Sequence, residues 1–184
     1  MPQAPVLLMP NLMAIPFLPE APWLSRLSPK LTPPCPLCGV KCQSFHHFEN
    51  HFEQYTKFNM QILWQCGKND YPKLKVLNNK KNLHIIPFTE NMNSFYSAAD
   101  VIVSRAGALA LSEMSHLGKA MILIPFPHSA GNHQILNAET FSNSDAALLI
   151  TQSELNTETL ENVVLDLINN PGKIANMEKK ASEM

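Results

Sequence analysis

The chain has almost no net charge, no long apolar run and no internal repeat. Fourteen lysines and arginines against 15 aspartates and glutamates leave a formal charge of −1, which gives no chain-wide basic field for nucleic acid. The basic residues are scattered apart from the pair Lys80-Lys81, which reads as a solvated loop. No apolar run approaches a membrane span, and the proline-broken start lacks the charged and unbroken apolar regions of a secretory signal. The expected compartment is the cytoplasm. What is present is 45% hydrophobic content in 184 residues, enough to bury the core of one domain.

Three strand-then-helix units follow one another between residues 84 and 138. They are HIIPF (His84 to Phe88) before TENMNSFYSAA, DVIVSR (Asp100 to Arg105) before AGALALSEMSHLG, and AMILIP (Ala120 to Pro125) before FPHSAGNHQILNAETF. Alternating units of this kind predict a parallel sheet with flanking helices, and ligands of such sheets collect beyond the carboxyl ends of the strands. In the second unit the β-branched Val101, Ile102 and Val103 suit a strand buried on both faces. A helix opening at Ala106-Gly107-Ala108 offers unpaired N–H groups and a positive dipole end to a phosphate, with Arg105 as a cation beside it. Glu113, about one and a half turns in, is placed to accept hydrogen bonds from sugar hydroxyls. Read alone, the same turn also suits ordinary helix capping with a surface Arg and Glu. The third unit adds His133, Gln134 and Asn137 near a helix start. Amide and imidazole groups both donate and accept, which suits a sugar; singly, each also reads as a satisfied polar residue at a helix start.

PFTENM (87–92), ADVIVSRAGALALSE (99–113), GKAMILIPFP (118–127) and NHQILNA (132–138) together resemble the carboxyl-terminal domain of the bacterial MurG family, which converts lipid I to lipid II in peptidoglycan synthesis. The similarity extends to about residue 180 and back to FNMQILWQCGKNDY (58–71), which resembles that domain's second strand. The resemblance implies one half of a GT-B glycosyltransferase, an α/β Rossmann-like domain that binds UDP-N-acetylglucosamine without a metal or other cofactor. It implies that Phe88 packs on the uracil and the Thr89 backbone reads its edge. Arg105 matches the family's crevice arginine. The N–H groups of Ala108, Leu109 and Ala110 face the diphosphate, Glu113 binds the ribose, and His133, Gln134 and Asn137 face the sugar. Ala110 stands where many relatives carry Thr or Ser, so a hydroxyl contact to phosphate is absent. No catalytic residue is assigned, and His128 matches no catalytic position.

Ten of the 15 prolines lie between Pro2 and Pro36. Proline removes backbone donors and interrupts helices and central strands. The domain's first strand and its glycine-rich phosphate loop are therefore expected to be missing. Residues 1–43 are read as an atypical segment, non-native or divergent, and 44–184 as the UDP-sugar-binding domain. Ser44 to Phe58 reads as a helix with Phe45, Phe48, Phe52 and Tyr55 on one face. Cys35, Cys38, Cys42 and His46 begin with zinc-like Cys-x-x-Cys spacing, but the remaining ligands are too crowded for a usual structural finger, and no metal is expected. Cys66 reads as a small apolar residue. The tail reads as two helices parted by Pro171-Gly172.

The resemblance implies transfer of N-acetylglucosamine from UDP-N-acetylglucosamine to lipid I, by a family peripheral on the cytoplasmic face of the membrane. Lipid I would be reached only through an amino-terminal domain that these 184 residues have no room for, so the chain alone is expected to be inactive. Two alternatives stay open: the donor-binding subunit of a split N-acetylglucosaminyltransferase resembling the eukaryotic dolichol-pathway enzyme, and a nucleotide-sugar binding module without chemistry.

Overall fold

The structure, a computed structural model, describes residues 6–10 (backbone only), 60–79 and 82–184. Six strands are described: β1 (Val6–Pro10), β2 (Gln61–Gln65), β3 (Leu83–Ile86), β4 (Val101–Ser104), β5 (Ala120–Leu123) and β6 (Ala147–Leu149). They form one sheet in the order β3-β2-β1-β4-β5-β6, with every pairing parallel. The helices are α1 (Tyr71–Leu74), which runs into a 3-10 turn at Lys75–Asn79, then α2 (Met92–Ser97), α3 (Ala108–His116), α4 (His133–Asn143), α5 (Thr157–Asn169) and α6 (Pro171–Ser182).

The expected α/β sheet is present, but the expectation that its first strand is missing is corrected. Val6–Pro10 pairs with β2 from Val6 opposite Gln61 to Pro10 opposite Gln65, and with β4 at Leu7 opposite Val101 and Leu8 opposite Ile102. The prolines do not prevent this, because Pro5 precedes the strand and Pro10 ends it, leaving the donors of residues 6–9 intact. The turn after β1, the helix expected over Ser44 to Phe58, the Cys35–His46 cluster and Lys80-Lys81 lie outside the described residues.

Alternate residues of β2 to β6 feed two cores, as a sheet covered on both faces requires. Ile62, Trp64, Leu83, Ile85, Val101, Val103 and Ile122 pack with Leu160, Val164 and Leu167 of α5 and Met177 of α6. Ile102, Met121 and Leu123 pack with Phe95 and Tyr96 of α2, Leu111 and Met114 of α3 and Ala138 of α4. All four residues of β4 and of β5 are buried, as the continuous apolar runs lead one to expect. β6 was not anticipated. Both tail helices are present, and Pro171 is the first residue of α6 rather than part of the break: proline lacks the N–H that a first helical residue leaves unpaired anyway. Cys66 is buried after β2, its thiol against the Gly67 and Ile86 carbonyls, and burial pushes it up to about 11. Among the described residues, no helix is long and apolar enough to cross a membrane.

α3 ends at Gly118, which has φ +57. The Gly118 N–H donates to Ser115 O at 2.9 Å and the Lys119 N–H to Met114 O at 3.0 Å, the paired bonds of a left-handed helix stop. This turn aims the chain into β5. A side chain on Gly118 would also bring its Cβ to 3.4 Å from the Glu178 carbonyl of α6. Gly118→Ala is therefore expected to lower unfolding free energy by roughly 1–2 kcal/mol, measured by urea denaturation. Gly172, in the first turn of α6 with nothing near its position, serves as the control: Gly172→Ala should be neutral or raise stability by up to about 1 kcal/mol.

Candidate functional site

Strand order reverses between β1 and β4, the place where open parallel sheets form a crevice at the carboxyl ends of their strands. The turns after β4 and β5 lie to one side of it and those after β2 and β3 to the other.

α3 begins at the crevice. Its N-cap is Gly107, in an extended conformation and without a side-chain cap, and the first intrahelical bond comes from the Leu111 N–H to the Gly107 carbonyl at 3.0 Å. The N–H groups of Ala108, Leu109 and Ala110 thus have no acceptor within the helix, which is the condition for receiving an anion there. Ala108 and Leu109 are exposed and Ala110 partly so. Glu113 is exposed farther along the helix; its charge, after burial, helps push the Tyr96 phenol up to about 12.

Arg105 stands at the junction of three strand ends. Its Nη1 donates to Ile124 O at 2.9 Å, Pro125 O at 3.3 Å and Gln152 Oε1 at 2.9 Å, and the guanidinium lies 5.8 Å from the Phe126 ring centroid. The sequence shows a cation next to α3; the structure adds that this cation is tied to the ends of β5 and β6.

The three polar residues stand at the start of α4, each with one side-chain polar atom engaged. Gln134 Oε1 accepts from the Phe126 N–H at 3.0 Å, and the Gln134 backbone N–H donates to Ser129 Oγ at 3.3 Å. Asn137 Nδ2 donates to Ala106 O at 3.1 Å. His133 Nδ1 pairs with the Ala130 carbonyl; since a carbonyl only accepts, that nitrogen carries the proton, and Nε2 of the uncharged ring is an acceptor. His128 sets its ring edge-on to Phe126, with centroids 5.8 Å apart. Gly131 and Asn132, with φ +59 and +55, make the left-handed corner that turns this loop into α4.

Across the crevice Phe88 is 51% exposed, a large apolar side chain left open to solvent. Lys68 Nζ lies 5.4 Å from its ring centroid, a cation–π contact from the turn after β2. The Thr89 N–H donates to Gln65 Oε1 at 3.3 Å, so of the backbone groups expected to read a base edge, the N–H is engaged and the carbonyl is the acceptor that remains. Gln65 is fully buried at the end of β2. Gln65, Gln152, Lys68, Phe126 and Ser129 were not singled out in the sequence. The signal for Gln65 and Gln152 was a polar amide at or just beyond the carboxyl end of an apolar run. Among the described residues no group of three His, Cys, Asp or Glu is placed to hold a metal ion.

Residues 40–184 match the family described as glycosyltransferase family 28 C-terminal domain. A Myxococcus xanthus protein named UDP-N-acetylglucosamine--N-acetylmuramyl-(pentapeptide) pyrophosphoryl-undecaprenol N-acetylglucosamine transferase is 39% identical over 127 residues, covering 68% of this chain and 33% of that protein. One of the same name from Flavobacterium psychrophilum is 36% identical over 126 residues, 68% of this chain and 34% of that protein. The chain thus spans about a third of the length of these relatives. Among solved structures, Acinetobacter baumannii MurG shares 33% identity at a TM-score of 0.61, covering 67% of this chain and 37% of that one. The glycosyltransferase VinC in complex with DTDP reaches a TM-score of 0.66 at 16% identity, over 99% of this chain and 38% of that one, a likeness of fold alone.

The geometry separates loop-holding residues from exposed ones. Asn137→Ala strands the Ala106 carbonyl and is expected to cost about 1–3 kcal/mol of stability. Glu113→Ala, at an exposed position, is expected to stay within about 0.5 kcal/mol of the unaltered chain. Parallel urea titrations of the two variants check both.

Proposed function

The chain belongs to the glycosyltransferase family 28 C-terminal domain family, and from that premise we propose that it is the donor-binding domain of an N-acetylglucosaminyltransferase. The observation that carries the reading is α3, with three backbone N–H groups lacking helical acceptors at the point where strand order reverses and Glu113 farther along the same helix. A nucleoside diphosphate sugar matches this spacing: phosphate at the helix start, ribose hydroxyls at the carboxylate.

On this reading the donor is UDP-N-acetylglucosamine, which the names of the relatives include. Phe88 stacks on the uracil, and the Thr89 carbonyl accepts from its N3–H. Arg105 and the N–H groups of Ala108, Leu109 and Ala110 stabilise the negative charge that gathers on the departing UDP, a stabilisation worth most when the donors are fixed beforehand. The remaining acceptors of His133 and Asn137 and the free amide donor of Gln134 face the sugar. The acceptor is the lipid-linked N-acetylmuramyl-pentapeptide of the relatives' name, engaged by a second domain at the cytoplasmic face of the membrane. A base for the acceptor hydroxyl comes from that side, since none of the donor-site residues is assigned one.

Calorimetric titration should show UDP and UDP-N-acetylglucosamine binding in preference to ADP, with no change on adding chelator. Glu113→Ala should weaken UDP by about 1.5–3 kcal/mol, the range for hydrogen bonds to a charged group. Equal affinity for ADP and UDP, or strict dependence on a divalent cation, would count against the assignment.

A further inference from the structure

We infer that Gln152 is a positioning residue for the donor site, acting through Arg105 to hold a full positive charge at the diphosphate. The inference rests on the donor-binding reading above and adds to it a residue outside the three sequence units. Three acceptors meet Arg105 Nη1, and two of them, the Ile124 and Pro125 carbonyls, are main chain. Gln152, three residues beyond β6, supplies the side-chain acceptor at 2.9 Å.

Two features argue that this contact does more than fill space. Gln152 turns its carbonyl oxygen to the guanidinium while its Nε2 is buried with no hydrogen-bond partner among the described residues. A buried donor left unsatisfied is unfavourable for folding, so the amide's orientation is set by the arginine rather than by its own surroundings. The second feature is the choice of a neutral acceptor. A carboxylate in the same place would bind the guanidinium more strongly and cancel its charge. An amide oxygen orients the group and leaves the charge for an anion. The bond also ties the end of β6 to the first residue after β4, so the cation keeps its place relative to the start of α3.

The test is a binding series on the full 184-residue chain, with UDP and uridine as probes. Gln152→Leu should lower UDP affinity on the order of tenfold and leave uridine within about twofold, as expected for one hydrogen bond to a charged group. In an Arg105→Ala background the same substitution should change UDP affinity no further, because its effect passes through the arginine. Gln152→Glu keeps the shape and the acceptor, guarding against a Leu variant that fails to fold, and should also weaken UDP while sparing uridine. Equal losses for UDP and uridine, additive effects in the double variant, or a Gln152→Glu chain that binds UDP like the unaltered one would each overturn the inference while leaving the donor reading standing. Failure of the unaltered chain to bind UDP overturns the donor reading and this inference with it.

Discussion

The ladder between β1 and its two neighbours holds the molecule together. β2 and β4 do not pair with each other; each pairs with Val6–Pro10. Without that strand the facing N–H and C=O groups of β2 and β4 would lie buried and unpaired in the middle of the sheet, among the least favourable states available to a backbone. The placement of the crevice follows from the same ladder, since strand order reverses where β1 meets β4. The turn after β3, with Phe88 and Thr89, and the turn after β4, with Arg105 and the start of α3, fall on opposite sides of that reversal.

A second layer of constraint keeps the loops in place. Arg105 ties the ends of β5 and β6 to the end of β4, Asn137 ties α4 to the turn before α3, and Gln134 ties α4 to the turn after β5. The Arg105 and Asn137 bonds connect segments 19 to 47 positions apart, and the Gln134 bond closes the loop between β5 and α4, so the polar groups left over are held in fixed directions before any ligand arrives. Preorganisation of this kind is what allows backbone donors to stabilise a developing charge. The same side chains thus serve structure with one atom and are proposed to serve the ligand with another, whereas exposed Glu113 is free to act on the ligand alone.

Much of this was legible in the sequence. The apolar runs at residues 84–88, 100–105 and 120–125 mark β3, β4 and β5, and the turns after them line the crevice. Gly107 marks the start of α3, and the clustering of His133, Gln134 and Asn137 at one helix start is real. Prolines hid β1, because their density across the segment outweighed a five-residue run that they merely bracket. β6 was hidden by its composition: Ala147, Leu148 and Leu149 suit a helix as well as a strand, and only pairing with β5 decides. The partners of Arg105 and Thr89 were out of reach for a different reason. Gln152 and Gln65 are separated from them by 47 and 24 positions, and no local pattern reports a contact made across the sheet.

The central position of β1 also makes the middle of the sheet depend on contacts of long sequence separation. Leu8 lies opposite Ile102, a loop of about ninety residues whose closure must precede any reward from the contact. The two partners of β1, β2 and β4, begin about 55 and 95 positions later in the chain. Strands β4, β5 and β6, by contrast, are joined by short local crossovers and can assemble as they emerge. The β1–β4 pairing is thus the longest-range contact between described strands, and the crevice lies at its carboxyl end.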